Sequence, residues 1–274
     1  MSESATKLSI HQEKKERVGI SKRQRFIISV LVLTSSLFFS ENLFSQYAGI
    51  ITVLTLPLLT LLFLFWSNYK DIKESFSFSI FTLPFLFSLS VCLFYFLIPD
   101  RKIYHLALLL IYAIGLYSLF LSQNIFIVAS IRTIALLSSA RLVSTVITTI
   151  SFFLLSWTVF SLHLFLFPTV LIVFIYSFFL ISHGLWIYTL EKSFFVHFLW
   201  SALLSLCLCE VSLILWFWPS VPAFISIFLT GFFYSLIGLS HLWFEKRLFK
   251  GVLLEYVWWS VIVFCLLLFF TYFQ

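Results

Sequence analysis

The strongest candidate for chemistry in this sequence is one carboxylate, Glu210, inside the apolar run from Phe194 to Phe217. An ionisable side chain deep in a helix that crosses a membrane costs about 2.5 to 3.5 kcal/mol on insertion scales. The residues three and four positions away on the same helix carry no cation, so a compensating partner must come from elsewhere. Glu210 is interpreted either as a proton or cation site or a catalytic acid, or as a structural glutamate hydrogen-bonded between helices, and the sequence leaves both interpretations open.

Other polar side chains fall at a depth similar to that of Glu210 when each apolar run is read as a helix. With Glu210 they form a candidate intramembrane polar site: His105, Tyr112, His163 and Tyr176. Ser and Thr are also dense between residues 144 and 161. Such hydroxyls either line a polar path or bond back to the carbonyls of their own helix.

A second candidate site consists of charged and histidine side chains near one end of several apolar runs. Its members are Arg132, Arg141, His183, Glu191, His241, Arg247 and Glu255. Cations at the edge of a membrane attract phosphate headgroups, so a pocket for a headgroup or a partner protein is the functional interpretation of this inner-face cluster. Ordinary anchoring at the membrane surface is the alternative.

Sequence motifs for enzymes and metal sites are absent. The chain contains no H-E-x-x-H, no G-x-S-x-G and no Walker loop. Its four cysteines all lie within apolar runs, and Cys207 and Cys209 point to different faces of a helix. The sequence therefore predicts no catalytic residues, no cofactor and no metal.

The composition places these residues in a membrane. Of 274 residues, 62% are hydrophobic and 10% are charged, against about 45 to 50% and about 25% in soluble domains. Backbone groups in lipid must be paired internally, so the chain spans the membrane as helices or as a closed barrel. The apolar runs are too long and uniform for barrel strands. We predict an all-α, polytopic transmembrane helix bundle.

The apolar runs predict about nine spans after a basic cytoplasmic tail at residues 1–25. The transmembrane domain covers 26–273, with spans at about 26–45, 47–66, 76–98, 103–121, 142–162, 169–190, 194–217, 221–243 and 252–273. The segment 124–141 carries Arg132 near its middle, so we predict a helix lying at the inner interface there.

The distribution of cations predicts the orientation. Nine spans with a cytoplasmic N-terminus place all of the 17 Lys and Arg residues inside except Arg101 and Lys102, in agreement with the positive-inside rule. The C-terminus is then outside, and we expect the cell membrane. The tail cations have no aromatic residues among them, which favours a topological anchor over nucleic-acid binding.

Three functional hypotheses follow. The leading one is a non-catalytic multi-pass protein that acts through the lipid bilayer or through other membrane proteins. The second is a transporter of small solutes or lipids, which requires a water-reachable cavity around Glu210. The third is an intramembrane enzyme, which requires a second catalytic group within hydrogen-bond reach of Glu210 or His183.

Overall fold

The computed structural model of the chain describes residues 21–43, 48–74, 77–99, 101–130, 135–190 and 197–272. The greater part of the predicted basic tail, residues 1–20, therefore lies outside the described residues. The described ranges contain nine long α-helices and no strand. Their bounds are Lys22–Leu43 (α1), Ala48–Glu74 (α2), Ser79–Leu97 (α3), Lys102–Ala129 (α4), Leu137–Ser161 (α5), Leu166–Thr189 (α6), Phe198–Trp216 (α7), Pro222–Phe244 (α8) and Lys250–Tyr272 (α9).

Eight of these helices, α2 to α9, are long and apolar enough to cross a membrane. The structure thus confirms a multi-span, all-helical membrane protein. The first helix lies beside α2 and α4, and Lys22 at its start forms an ion pair with Asp71 near the end of α2. The first two helices therefore run antiparallel, and a membrane crossing by α1 stays a prediction.

The centre of the bundle consists of α3, α5 and α6. Buried residues make up 67%, 56% and 61% of their apolar segments, compared with 11% for α9. The central helix α5 packs against α3, α4, α6 and α8. At its middle, the ring of Phe152 stacks on Phe233 of α8 with centroids 4.0 Å apart. The core is thus built where aromatic side chains from neighbouring spans interdigitate.

Short connections make successive helices antiparallel, so their ends gather on two flanks of the bundle. We call one the Arg101 flank; it holds the end of α3, the start of α4 and the turns at 162–165 and 217–221. We call the other the Arg141 flank; it holds the ends of α4, α6 and α8 and the starts of α5, α7 and α9. In the predicted topology, the Arg101 flank is outside the cell.

The structure differs from the predicted interfacial helix at 124–141. Residues 124–129 are the last turns of α4, and residues 137–141 are the first turn of α5. The reason is packing, since Gln123, Phe126 and Ile127 are buried and Phe126 meets the ring of Trp186 on α6. This contact continues α4 into the bundle instead of along the membrane surface, and Arg132 lies outside the described residues.

Candidate functional site

Arg141 anchors a group of polar side chains near the Arg141 flank. Its Nε donates to the carbonyl of Ile187 and its Nη2 to the carbonyl of Tyr188, both at 3.1 Å. Its guanidinium also lies 4.7 Å from the centre of the Tyr188 ring. These carbonyls belong to the last turn of α6, where backbone acceptors lack partners within the helix. Arg141 from α5 therefore caps α6 and complements its dipole.

His183 is held on both sides of its ring. Its Nδ1 lies 2.9 Å from the carbonyl oxygen of Ser79, and because a carbonyl can only accept, Nδ1 is the donor. In the neutral ring Nε2 is then the acceptor for the Ser144 hydroxyl, 3.2 Å away. One side chain of α6 thereby joins α3 to α5.

His241 makes the corresponding link from α8. Its Nε2 donates to the carbonyl of Gly184 at 3.0 Å, and its ring lies on that of Tyr188 with centroids 3.9 Å apart. We call Arg141, Ser144, His183, Tyr188 and His241 the polar cluster. It connects four helices through hydrogen bonds and ring contacts.

The Ser144–His183 pair has the composition of a nucleophile and a base. The pair is sealed, however, because Ser144 is 1% and His183 is 0% exposed. The cavity beside His241 and Gly184 measures about 10 Å³, which is space for about one water molecule. Both side chains are enclosed by protein, and the hydrogen bonds of the polar cluster join neighbouring helices.

The structure brings together three of the seven residues of the predicted inner-face cluster, namely Arg141, His183 and His241. Arg132 and Glu191 lie outside the described residues. Arg247 is exposed beside Glu245, with Nη1 3.8 Å from Oε2, and Glu255 is exposed on α9. Ser144 and Tyr188 could not be singled out in advance, since hydroxyl and aromatic residues are common throughout the chain.

The predicted intramembrane polar site does not form as one site. The Tyr112 hydroxyl donates to Ser88 Oγ at 3.2 Å, and the Tyr176 hydroxyl pairs with Ser156 Oγ at 2.8 Å. His105 stacks on Tyr95 with ring centroids 4.6 Å apart, and His163 is exposed in a turn with φ of 45°. These four side chains lie in separate places around the bundle.

Glu210 is exposed on the outer face of α7 instead of being enclosed between helices. In the described part of the chain, no hydrogen bond or ion pair joins it to another residue. The transport hypothesis required a polar cavity around this carboxyl near the hydroxyls of α5. Those hydroxyls instead mostly bond back to their own helix, as Thr148 Oγ1 does to the Ser144 carbonyl at 2.8 Å.

A cleft that the sequence did not reveal opens at the Arg101 flank between α3, α4 and α5. Its volume is about 560 Å³, and its walls include Phe94, Leu97, Tyr104, Ala107, Ile111 and Trp157. We call it the Arg101 cleft, since Arg101 and Lys102 lie between Pro99 and Tyr104, which both line it. Both cations are exposed. Arg101 and Lys102 are also the two cations that the predicted topology places outside. This exception was the signal in the sequence that could have pointed to the cleft.

A smaller cavity lies at the same flank between the ends of α5 and α7 and the start of α8. It measures about 240 Å³ and is lined by His163, Trp216 and Trp218 among others. The Nε1 of Trp216 donates to the carbonyl of Leu164 at 3.1 Å, which ties the turn after α5 to the end of α7. In the described part of the chain, no three His, Cys, Asp or Glu side chains are grouped to hold a metal ion.

Comparison with known proteins identifies a family without assigning an activity. Residues 50–270 match the model of a family described as a protein of unknown function (DUF5656). No curated protein and no solved structure matches the chain. The matched region spans nearly all of α2 to α9, and so includes both the polar cluster and the Arg101 cleft.

Proposed function

We propose that this chain, which belongs to the DUF5656 family, is a non-catalytic membrane protein that holds an anionic phospholipid in the Arg101 cleft. The observation that carries this proposal is the cleft itself, an apolar space of about 560 Å³ whose lining residues Pro99 and Tyr104 flank the exposed cations Arg101 and Lys102 in the sequence. Small-molecule sites in proteins commonly measure about 300 to 1,000 Å³. The cleft therefore has room for part of an acyl chain.

The walls of the cleft match a hydrocarbon chain. Leu97, Ala107 and Ile111 are aliphatic, and Phe94 and Trp157 add aromatic surface. The two rings also contact each other, with centroids 4.9 Å apart, so this wall is fixed by packing. An acyl chain that enters the cleft exchanges lipid neighbours for a preformed surface, and this exchange favours binding through van der Waals contact.

The end of the cleft matches a phosphate headgroup. Arg101 and Lys102 are exposed at the N-terminus of α4, where the helix dipole also favours an anion. Tyr104 follows on the same helix and lines the cleft, and aromatic rings with a polar tip favour headgroup depth. The cations thus select anionic lipids, while the apolar walls retain the chain.

The non-catalytic part of the proposal rests on the polar cluster. Its histidines are hydrogen-bonded to backbone carbonyls, and the Ser144–His183 pair is sealed from any substrate. Glu210, the other candidate for chemistry, has no second catalytic group beside it among the described residues. Binding to lipid requires none of these groups to react.

The test measures lipid retained by the purified full chain in native mass spectrometry, with equal amounts of phosphatidylglycerol and phosphatidylethanolamine offered. The unaltered chain should retain phosphatidylglycerol preferentially. The double variant R101Q/K102Q should lose affinity for it by about ten- to thirtyfold, since each basic residue near anionic lipid contributes about 1 kcal/mol. Ala107→Trp, which fills the cleft, should reduce retention of both lipids.

Two matched controls separate the cleft from general effects. The double variant K246Q/R247Q removes two exposed cations from the other flank, and Leu110→Trp adds an indole to α4 outside the cleft. Neither should change retention at the Arg101 cleft. Equal retention of both lipids by all the variants would overturn the proposal.

A further inference from the structure

The helix α7, together with Phe217 directly after it, carries an exposed row of residues with regular spacing. Its members are Leu199, Leu203, Leu206, Glu210, Leu213 and Phe217, which alternate four and three positions apart. Every member is exposed, and the five hydrophobic ones are between 42% and 68% exposed. We call this row the α7 seam.

The spacing of the seam corresponds to a repeat of about 3.5 residues, which places one row of side chains along a paired helix. The same spacing occurs on other exposed faces, for example at Leu254, Val257, Val261, Phe264 and Leu268 of α9, because one face of any helix recurs every three or four residues. A leucine at four of six positions with this repeat is suited to interlocking with an identical row. The spacing thus permits helix pairing, and the carboxyl within the row is what distinguishes the α7 seam from that face of α9.

The protein's own bundle does not use the seam. The opposite face of α7 presents Ser201, Ser205, Cys209 and Ser212, all of them buried, and α7 packs closely on α6. Small residues such as these allow two membrane helices to approach closely. The internal contacts of α7 are therefore complete without the seam.

Glu210 is the member of the seam that lipid accommodates worst. It lies about 9 Å from the end of α7 at Trp216, at about 1.5 Å per residue. Its carboxyl is exposed on the face of the leucines, and in the described part of the chain it has no hydrogen-bond or ion-pair partner. A carboxyl at this position calls for a hydrogen-bonding partner from outside the bundle.

We propose that the α7 seam is the interface of a homodimer in which the two Glu210 carboxyls hydrogen-bond to each other. Two copies inserted in one membrane share the same orientation, so their α7 helices are parallel about a two-fold axis along the membrane normal. Equivalent positions of a parallel heptad pair face each other, which places Glu210 opposite its counterpart. In this pair one carboxyl group donates a hydrogen bond and the other accepts it.

A second copy fits the seam better than an unrelated span. The leucine row is complementary to itself, and the carboxyl is both a donor and an acceptor when it carries a proton. The described face around Glu210 supplies no further charge that would select a cationic partner. The dimer does not depend on the Arg101 cleft, which lies on α3, α4 and α5.

The first test is disulfide cross-linking of the full chain in membranes. In a background with Cys207→Ser, variants Leu206→Cys and Leu213→Cys place thiols in the seam, and the native Cys265, exposed on α9, serves as the matched control. Oxidation should give a cross-linked dimer through positions 206 and 213 that is absent in the Cys207→Ser background alone. Equal cross-linking with Cys265 alone, or none at either seam position, would overturn the proposal.

The second test measures the dimer fraction in lipid vesicles by single-molecule photobleaching as dilution lowers protein density. Glu210→Gln keeps a donor and an acceptor and should preserve dimerisation, whereas Glu210→Ala should weaken it by about three- to tenfold, as for single interhelical hydrogen bonds in membranes. Glu255→Ala removes an exposed carboxyl from α9 and should have no effect. Monomers at all densities, or stoichiometric recovery with a different membrane protein that depends on Glu210, would refute the homodimer.

Discussion

At the scale of single residues, the polar groups of this protein act mainly as connections between helices. Arg141 donates to two carbonyls at the end of α6, and His183 links that helix to α3 and α5. In a membrane such groups have no water as an alternative partner, so an unsatisfied acceptor is costly. The polar residues that join neighbouring helices are therefore the ones whose loss should most affect stability.

Arg141 offers a direct measurement of this effect. Arg141→Ala leaves the carbonyls of Ile187 and Tyr188 without their donor, and we expect a loss of about 1 to 3 kcal/mol in the free energy of unfolding. Arg141→Lys should recover part of this loss, because a single ammonium cannot reproduce the two-pronged contact. Reversible unfolding in mixed detergent micelles measures both values.

The matched control is Arg247→Ala, since the Arg247 side chain is 74% exposed and its contact with Glu245 is 3.8 Å long. An exposed ion pair contributes about 0 to 1 kcal/mol. The free energy of unfolding of this variant should therefore be close to that of the unaltered protein. Equal losses for Arg141→Ala and Arg247→Ala would show that capping of α6 contributes nothing.

At the scale of helices, the contacts depend on the shape of each face. Gly115 of α4 is the clearest case, because a Cβ at this position would come within 2.4 Å of Cζ of Phe87 on α3. The Phe87 ring is itself buried and stacked on Tyr112 with centroids 5.9 Å apart. It has little room to move, so the absence of a side chain at 115 sets how closely α3 and α4 approach.

Gly115→Ala should therefore destabilise the bundle by about 1 to 3 kcal/mol, the usual cost of overpacking a core. Gly251→Ala is the matched control, as nothing lies within 4 Å of the added methyl group, and alanine favours helix by about 1 kcal/mol over glycine. Thermal unfolding in detergent should give a lower midpoint temperature for Gly115→Ala and a higher one for Gly251→Ala than for the unaltered protein. A Gly115→Ala protein as stable as Gly251→Ala would contradict the packing argument.

At the scale of the whole molecule, the number of crossings decides whether the two termini lie on the same side of the membrane. Eight helices qualify as spans, and α1 runs antiparallel beside α2 with Lys22 next to Asp71. If α1 also crosses, the count is odd and the termini lie on opposite sides. The Arg101 cleft then faces outward, and a lipid held there comes from the outer leaflet.

Reporters fused to the two termini test this topology. With nine crossings, an N-terminal fluorescent protein should be active inside the cell and a C-terminal alkaline phosphatase active outside, because each reporter functions on only one side. The reversed pair of fusions, which should both be inactive, provides the control. If the same reporter were active at both termini, the two termini would lie on the same side of the membrane. In that case α1 does not cross.

Much of the architecture was predictable because it depends on local properties. Long apolar runs separated by short polar turns indicate membrane helices, and the observed α3, α6, α7 and α8 closely follow the predicted spans. The segment at 124–141 was the exception, since its charged middle suggested a surface helix while the burial of Phe126 and Ile127 kept α4 in the bundle. That outcome depended on the contact between Phe126 and Trp186 of α6. Such a contact cannot be inferred from the sequence of residues 124–141 alone.

The sequence alone determined that this chain is a multi-pass helical membrane protein, since hydropathy and length are properties of each segment by itself. Only the tertiary structure decided that His183 meets Ser79 from 104 positions away and that Glu210 faces outward. The physical reason is that a helix apolar on every side has no preferred rotation in lipid. Its rotation is set by how its side chains fit the neighbouring helices.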